Sequence, residues 1–248
     1  MNNRRSTRPA AGNLAGAVFL GLLAAGLTFQ LSAFANDGAP AAPRAKHVNF
    51  ERERASDAAR HVADWVLDSG DNHATDSRLL PFAIVDKKDA RVFVFDAQAR
   101  LLGTAPALLG QSRGDDAIPG IGDRALSSIR LEEKTTPAGR FVASLGESTR
   151  GEDVLWVDYA GAVSMHRVIT SNVKERRAQR LATPTPDDNR ITFGCINIPK
   201  KFYEEVVRTT FHRTYGIVYV LPETKSNQSV FSSYDVEEHA RLSGATRN

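Results

Sequence analysis

The chain has 248 residues, a single cysteine and a formal net charge of +3. With 42% hydrophobic and 25% charged residues, its composition is that of a globular protein that can bury a core. Residues 1–35 contain three of the 32 basic residues and none of the 29 acidic ones, so the rest of the chain is balanced at 29 of each. This balance argues against a nucleic-acid-binding protein, and the lone cysteine excludes a disulfide framework within the chain.

Residues 1–35 predict a secretory signal peptide. Three arginines precede an apolar stretch over residues 14–29, and Ala33-Phe34-Ala35 supplies the small residues of a cleavage site before Asn36. An uncleaved anchor is the alternative, because residues 14–35 approach the ~20 residues that span a bilayer. In both cases the sequence predicts an exported protein of the periplasm or cell envelope.

A linker and a helix follow the signal. Residues 36–55 begin with an Ala- and Pro-rich stretch and predict a linker. Residues 56–79 predict an N-terminal helical segment, with Ser56 as N-cap and Gly70 at its end. The apolar residues of this helix recur at helical spacing at Ala58, Val62, Trp65 and Val66.

Residues 80–223 predict a mainly β domain of the α+β class. Its apolar runs are short, rich in β-branched and aromatic residues, and separated by breaks that contain Gly or Pro. The predicted strands are 82–86, 91–96, 101–109, 140–145, 154–159, 163–169 and 215–221. Residues 224–248 are polar and lack sustained periodicity, which predicts a loose tail with a short helix near 234–242.

Cys195 lies between a strand-like run and a predicted helix over residues 199–212. The N–H groups and dipole at a helix N-terminus stabilise a thiolate, so this position is expected to lower the thiol pKa. A solitary cysteine in an exported chain is either a nucleophile or, more commonly, a small buried hydrophobic residue.

Three sequence motifs follow one another along the chain. The first is the hairpin over residues 82–95, and the second is Thr136-Pro137-Ala138-Gly139-Arg140-Phe141. The third is His166 on a predicted strand, followed by Thr192-Phe193-Gly194-Cys195-Ile196-Asn197. Together they resemble the L,D-transpeptidase catalytic domain, the YkuD-like family of bacterial cell-wall enzymes. The resemblance covers residues 82–221 and implies a YkuD-like β-sandwich, with a short helix after the cysteine and an extra N-terminal helix in this chain.

The resemblance implies acyl transfer through a thioester. Cys195 is the implied nucleophile and His166 its base, with the carbonyl of Arg167 orienting the imidazole. The N–H groups of Gly194 and Cys195 are expected to stabilise the oxyanion. The implied partner is a peptidoglycan tetrapeptide stem, and the acceptor is an amine of a neighbouring stem or of a protein tethered to the wall. The alternative for His166 is a structural histidine on a strand.

Four further residues are assigned to substrate binding or to bracing the cysteine loop: Thr192, Phe193, Asn197 and Arg140. Asn197 and Thr192 are expected to brace the turn, and Arg140 is expected to meet a carboxylate of the stem. Phe193 stands where the family usually has histidine, which removes a possible positive neighbour of the thiol and bears on acceptor handling.

The segment over residues 171–190, between His166 and the cysteine motif, is longer than usual in the family. We call it the flap. The flap has two interpretations. It covers the site, since long loops in compact domains are often functional, or it is a solvated surface loop.

No metal or cofactor is predicted. The sequence lacks His-Glu-x-x-His, Cys-x-x-Cys, a clustered acidic set and a phosphate-cradling glycine loop, so neither nucleotide nor nucleic acid is an expected partner. Two alternatives to a transpeptidase remain. One is a thioester hydrolase, similar to a carboxypeptidase or amidase, acting on peptidoglycan stems. The other is an inactive wall-binding homologue.

Overall fold

The computed structural model describes residues 44–75 and 78–245, so the predicted signal peptide and the start of the predicted linker lie outside the described residues. The protein is mainly β with a few helices, as predicted. The strands are β1 Phe82–Asp86, β2 Arg91–Phe95, β3 Leu101–Pro106, β4 Leu109–Gly110, β5 Gly139–Glu147, β6 Asp153–Asp158, β7 Val163–Arg167, β8 Arg190–Thr192, β9 Ile196–Ile198 and β10 Tyr215–Val220. The α-helices are α1 Asp57–Ser69, α2 Arg177–Ala182, α3 Lys200–Phe202, α4 Arg208–Thr210, α5 Asn227–Phe231 and α6 Val236–Ala245. Among the described residues, no helix is both long and apolar enough to cross a bilayer.

One mixed sheet folds back on itself. Its strand order is β3-β2-β1-β10-β5-β6-β7-β9, and β4 pairs separately with β8. The two edges of the large sheet nevertheless meet, because Leu108, just beyond β3, and Asn197 of β9 exchange backbone hydrogen bonds of 2.8 and 2.9 Å. The predicted sandwich is therefore built from a single sheet, and Asn197 lies where its edges join.

The inner face of the sheet holds one hydrophobic core. Strands point alternate side chains to opposite faces, so Val92 and Val94 of β2 and Val218 of β10 enter this core. Residues 200–210 pack into the same core as a helix whose middle, Tyr203–Val207, is a π-helix between α3 and α4. Phe211, at the end of this helix, is fully buried there.

The predicted N-terminal helix is present as α1 and covers the outer face of the sheet. Ser56 is the N-cap and accepts a hydrogen bond of 3.1 Å from the N–H of Ala59, and Gly70 ends the helix with a φ of 69°. The buried stripe of α1 comprises Ala59, Val62, Ala63, Trp65 and Val66. Trp65 meets Tyr219 of β10 edge-on, at 6.1 Å between ring centroids. The spacing of apolar residues therefore predicted this helix correctly.

The predicted linker over residues 36–55 is wrong for its described part. Phe50 is only 2% exposed and meets Phe93 edge-on on the outer face of the sheet. The ring nitrogens of His47 lie 2.8 Å from Asp64 of α1 and 2.9 Å from Glu237 of α6. Residues 44–55 therefore form a packed strap rather than a free tether.

The predicted looseness of the tail over residues 224–248 is also wrong for its described part, whereas the short helix expected near 234–242 is present as α6. Helices α5 and α6 dock on α1, with Phe231 and Val236 buried in the outer core. The hydroxyl of Tyr234 donates a hydrogen bond of 2.9 Å to Asp68 of α1. The buried Phe231 and Val236 and the partly buried Tyr234 are enough to dock a largely polar segment.

A buried ionic cluster joins segments that surround the cysteine loop. The ammonium group of Lys87 is fully buried, lies 2.8 Å from Asp115 and 3.7 Å from Glu223, and donates to the carbonyl of Thr136 at 2.9 Å. Arg190, at the end of the flap, pairs with Glu223 at 2.7 Å. Burial lowers the pKa of Lys87 and the two carboxylates oppose that shift. The cluster thus ties the β1–β2 turn and the flap to the C-terminal end of the domain.

Replacing Lys87 by methionine is expected to lower the free energy of unfolding by about 3–5 kcal/mol, because the buried Asp115 carboxylate loses the cation that lies 2.8 Å from it. Thermal or urea unfolding measures the change. The matched control is Lys88→Met at the exposed neighbouring position, which is expected to change stability by less than about 0.5 kcal/mol. Equal stabilities of the two variants would contradict this account of the cluster.

Candidate active site

Two adjacent parallel strands present four polar side chains on one face. β7 carries Ser164 and His166, Asn197 lies within β9, and Cys195 lies two positions before Asn197, directly before that strand. His166 and Asn197 are directly paired in the register of the two strands. Because alternate residues of a strand share a face, this pairing gathers all four side chains into one site.

The opposite face of the same two strands fixes the site to the core. Met165, Ile196 and Ile198 are fully buried in the inner core. Alternation thus gives each strand one apolar face that packs in the core and one polar face that carries the site residues.

The turn before the nucleophile requires glycine at position 194. Gly194 has a φ of 141°, and a Cβ atom there would lie 2.8 Å from the carbonyl oxygen of Thr135. The hydroxyl of Thr136 donates a hydrogen bond of 2.9 Å to the Gly194 carbonyl. The Thr-Pro-x-Gly element therefore holds the cysteine turn in place, and Thr136 also links it to the buried Lys87 cluster.

The thiol of Cys195 is half-buried and has several polar neighbours. The Ser164 hydroxyl lies 3.7 Å from its Sγ, and the carbonyl of Ala162 lies 3.6 Å away. Burial raises the pKa of the thiol. The hydrogen bond with His166, the positive charge that His166 carries once it has taken the thiol proton, and hydrogen bonds from Ser164 lower it, and the net shift is downward. The surroundings of Cys195 therefore favour a nucleophile over an inert core cysteine.

The His166 imidazole is oriented by the backbone. Its Nδ1 lies 2.8 Å from the carbonyl oxygen of Arg167, as the resemblance implies. When Nδ1 carries the proton and donates it to this carbonyl, Nε2 is left as the acceptor for the thiol proton. Nε2 also lies 3.1 Å from Nδ2 of Asn197, so Asn197 contacts the base itself as well as joining the sheet edges.

One of the two expected oxyanion donors is occupied. The N–H of Gly194 donates to the Thr192 hydroxyl at 3.1 Å, and that hydroxyl donates to the Cys195 carbonyl at 2.7 Å. Thr192 thus braces the turn, as expected, and it takes up the Gly194 donor in doing so. Of the predicted pair, the N–H of Cys195 is the donor that this internal brace does not use.

The expected effect of a helix N-terminus on the thiol is wrong. β9, Ile196–Ile198, lies between Cys195 and α3, and a three-residue strand extends the chain by ~10 Å. Helix-terminus electrostatics fall off within the first turn. The lowered pKa of the thiol therefore comes from His166 and Ser164.

Arg167 and Arg140 have structural partners. The Arg167 side chain pairs with Glu204 at 2.6 Å and Asp153 at 2.9 Å, so its contribution to the site is its carbonyl. Arg140 pairs with Asp71, beyond the end of α1, at 2.6 Å. Because that pairing commits its guanidinium, the structure does not bring Arg140 into the cysteine site as the sequence had suggested.

Phe193 forms one wall of a narrow cleft beside the nucleophile turn. The cleft is lined in part by Ile118, Pro137, Asp158, Val163 and Phe193. Phe193 is 38% exposed, and the ammonium group of Lys134 lies 4.2 Å from its ring centroid. A cation therefore lies against the face of the Phe193 ring, beside the nucleophile turn.

Ser164 and Arg177 are site residues that were not predicted from the sequence. Ser164 was detectable, because it lies two residues before His166 on a predicted strand and so shares its face. Arg177, in the flap, donates a hydrogen bond of 2.7 Å to Oδ1 of Asn197. No periodic signal in the flap predicts that contact. Within the described ranges there is no group of three or more His, Cys, Asp or Glu side chains arranged to hold a metal ion.

No protein-family model matches the sequence, and no curated protein matches it. Several solved structures are similar in fold at low identity. The catalytic domain of the E. faecium L,D-transpeptidase is 16% identical, with a TM-score of 0.35, covering 58% of this chain and 98% of that one. The helical cell shape determining protein Pgp2 of Campylobacter jejuni is 12% identical, with a TM-score of 0.41, covering 73% and 60%. The Ldtfm–avibactam carbamoyl enzyme is 15% identical, with a TM-score of 0.35, covering 57% and 49%, so this chain spans about half the length of that protein.

The fold and the site define a mainly β protein that displays a cysteine–histidine pair on its outermost parallel strands. The thiol is half-buried and its pKa is lowered. The imidazole is held by a backbone carbonyl at Nδ1 and by the Asn197 amide at Nε2, the nitrogen that can accept the thiol proton. This arrangement has the parts needed for nucleophilic catalysis by cysteine.

Proposed function

We propose that the protein is a cysteine-dependent acyltransferase of the L,D-transpeptidase type that acts on peptidoglycan stem peptides. The observation that carries the proposal is the placement of Cys195 and His166 on one face of paired strands, with a lowered thiol pKa. The substrate class rests on the sequence motifs around Thr136 and Cys195, which resemble that family. The predicted secretory signal supports a site of action in the periplasm or cell envelope.

The first half-reaction forms a thioester. The Cys195 sulfur attacks the carbonyl of the third residue of a tetrapeptide stem, and its proton passes to Nε2 of His166. A C–S bond forms, the C–N bond to the terminal D-alanine breaks, and His166 returns the proton to the departing amine. The N–H of Cys195 is the proposed donor to the oxyanion, and one such donor contributes about 2.7–4 kcal/mol.

The second half-reaction releases the acyl group. An amine attacks the thioester, a C–N bond forms, and the C–S bond breaks. His166 takes the proton of the attacking amine and the thiol is regenerated. The proposed acceptor is the side-chain amine of a neighbouring stem, and a lysine of a protein tethered to the wall offers the same chemistry. Water in place of the amine would give hydrolysis.

We expect the protein to convert disaccharide-tetrapeptides into cross-linked dimers with release of D-alanine, as read by mass spectrometry of the products. Adding a lysine-containing peptide tests the protein acceptor, because a stem attached to that lysine would identify it. If the products are shortened stems and no dimers, the protein hydrolyses the thioester instead of transferring the acyl group. The absence of both products and of any acyl adduct on Cys195 would leave the wall-binding interpretation.

A further inference from the structure

The flap reaches the site through one arginine. Arg177 is the first residue of α2, and its side chain is 14% exposed. Its guanidinium pairs with Glu175 and donates a hydrogen bond of 2.7 Å to Oδ1 of Asn197, which is 1% exposed. The flap is therefore more than a solvated loop, because it contributes a buried contact to the residue that touches the catalytic base.

This contact fixes the orientation of the Asn197 amide. A guanidinium can only donate hydrogen bonds, so the amide must turn its oxygen toward Arg177. Its Nδ2 group then faces the other way, where Nε2 of His166 lies at 3.1 Å. Because an amide NH₂ group can only donate, Nε2 must be unprotonated and act as the acceptor.

The other ring nitrogen is committed as well. Nδ1 of His166 lies 2.8 Å from the carbonyl of Arg167, which can only accept. One ring nitrogen therefore carries a proton and the other carries a lone pair, which is the neutral imidazole. Protonation of Nε2 would bring its N–H against the N–H of Asn197.

We propose that Arg177 is a positioning residue that holds the Asn197 amide so that His166 rests as a neutral base with Nε2 as the acceptor. Arg177 thereby disfavours the thiolate–imidazolium pair in the resting protein and keeps the proton on the thiol until a substrate is bound. The inference rests on the proposed use of Cys195 and His166, and it makes the flap part of the catalytic machinery.

Titratable and charged groups approach the imidazole from the cysteine turn and from β9 with the flap behind it. Cys195 faces it from the turn, and Asn197 faces it from β9 with Arg177 and Glu175 of the flap behind. The guanidinium of Arg167, on its own strand, is turned away into ion pairs with Asp153 and Glu204. Arg177 is thus the charged group that sets the orientation of the amide in front of Nε2.

The single cysteine makes a direct test possible, because iodoacetamide alkylation of the whole protein reports on one thiol. In Arg177→Met the Asn197 amide is free to rotate and present its oxygen to a protonated Nε2. The midpoint of the pH–alkylation profile is then expected to move to lower pH by about one unit, the value of one hydrogen bond gained by the imidazolium. Arg177→Lys retains a donor and is expected to stay near the wild-type midpoint.

Arg176→Met is the matched control, because Arg176 is the exposed neighbour in the same flap. It is expected to leave the midpoint unchanged. A merely structural role for Arg177 predicts a lower melting temperature in Arg177→Met, with a midpoint that stays in place or rises because the imidazole is less well held. A midpoint of Arg177→Met that stays in place or rises would overturn the proposal.

Asn197→Asp provides a second test that does not depend on the folding of Arg177→Met. A carboxylate accepts from Arg177 and from a protonated Nε2 at once, so the midpoint must fall below that of the wild type, and a midpoint that stays or rises rejects the inference. Alkylation requires no peptidoglycan substrate. Shifts in the expected direction without muropeptide products would therefore reject the proposed function alone, whereas products from the wild type without these shifts would reject this inference alone.

Discussion

Replacing Cys195 by alanine is expected to abolish product formation from disaccharide-tetrapeptides, with a loss on the order of 10⁴-fold or more. The reason is that the thioester has no other site, since Cys195 is the only cysteine in the chain. Side chains that act as a unit lose nearly all of their joint effect when one is removed. Mass spectrometry of the products measures the loss, and intact-protein mass spectrometry looks for the acyl adduct on the wild type.

A carbapenem offers an independent probe of the same atom. Its strained lactam is an acyl donor, so one adduct is expected on the wild type and none on Cys195→Ala. Ser164→Ala is the informative companion, because it removes the hydroxyl 3.7 Å from the sulfur and leaves the nucleophile in place. It is expected to slow acylation modestly, by the ~1 kcal/mol of one hydrogen bond, without preventing it. An adduct on Cys195→Ala would place the chemistry at another residue.

These outcomes also separate an enzyme from a wall-binding module. A module without catalysis has no need of a thiol with a lowered pKa or of a base beside it. The structure shows both features, and Phe193, which prompted that alternative, carries the Lys134 cation on its ring. If neither a carbapenem nor a stem peptide acylates Cys195, the binding interpretation becomes the better one.

Periodic segments of the fold were predictable from the sequence. Helix α1 followed from its apolar stripe and its Ser56 cap, and the β1–β2 hairpin followed from two β-branched runs around a polar turn. In these segments the local preference and the tertiary packing agree. The apolar residues of these segments are buried in the two hydrophobic cores, as their spacing predicts.

Short or polar segments were not predictable in the same way. β9 has three residues, too few to show alternation, and Pro199 directly after it suggested a helix start instead. Helices α5 and α6 are held by a few anchors such as Phe231 and Val236 in an otherwise polar sequence. In each case tertiary packing, which the sequence pattern does not show, decided the structure.

The candidate site likewise contains some features that the sequence predicts and some contacts that it does not. The pairing of His166 with the cysteine motif followed from a family resemblance, and its face followed from strand alternation. The contact of Arg177 with Asn197 joins residues 20 positions apart, through a flap without periodicity. Likewise, the N–H of Gly194 donates to the Thr192 hydroxyl instead of to an oxyanion, and that bond depends on the conformation of one turn. Contacts of this kind are set by loop conformation and become visible only in three dimensions.

Replacing His166 by alanine is expected to slow acylation of Cys195 by about 10²–10⁴-fold, the usual contribution of a general base. The thiol loses the hydrogen bond and the charge that lower its pKa, while the burial that raises the pKa remains. The thiolate therefore forms only at higher pH. The midpoint of the iodoacetamide profile is expected to move upward, opposite to the shift expected for Arg177→Met, so alkylation near neutral pH becomes slower.

His212→Ala is the matched control, because His212 is an exposed histidine at the end of the helix over residues 200–210. It is expected to leave both the acylation rate and the alkylation midpoint unchanged. Circular dichroism and the melting temperature establish that His166→Ala is folded. A folded His166→Ala variant with wild-type acylation would show that this imidazole is a structural histidine on a strand. An upward midpoint together with slow acylation would instead mean that the half-buried sulfur ionises because His166 is beside it, which is the condition for any thioester chemistry at this site.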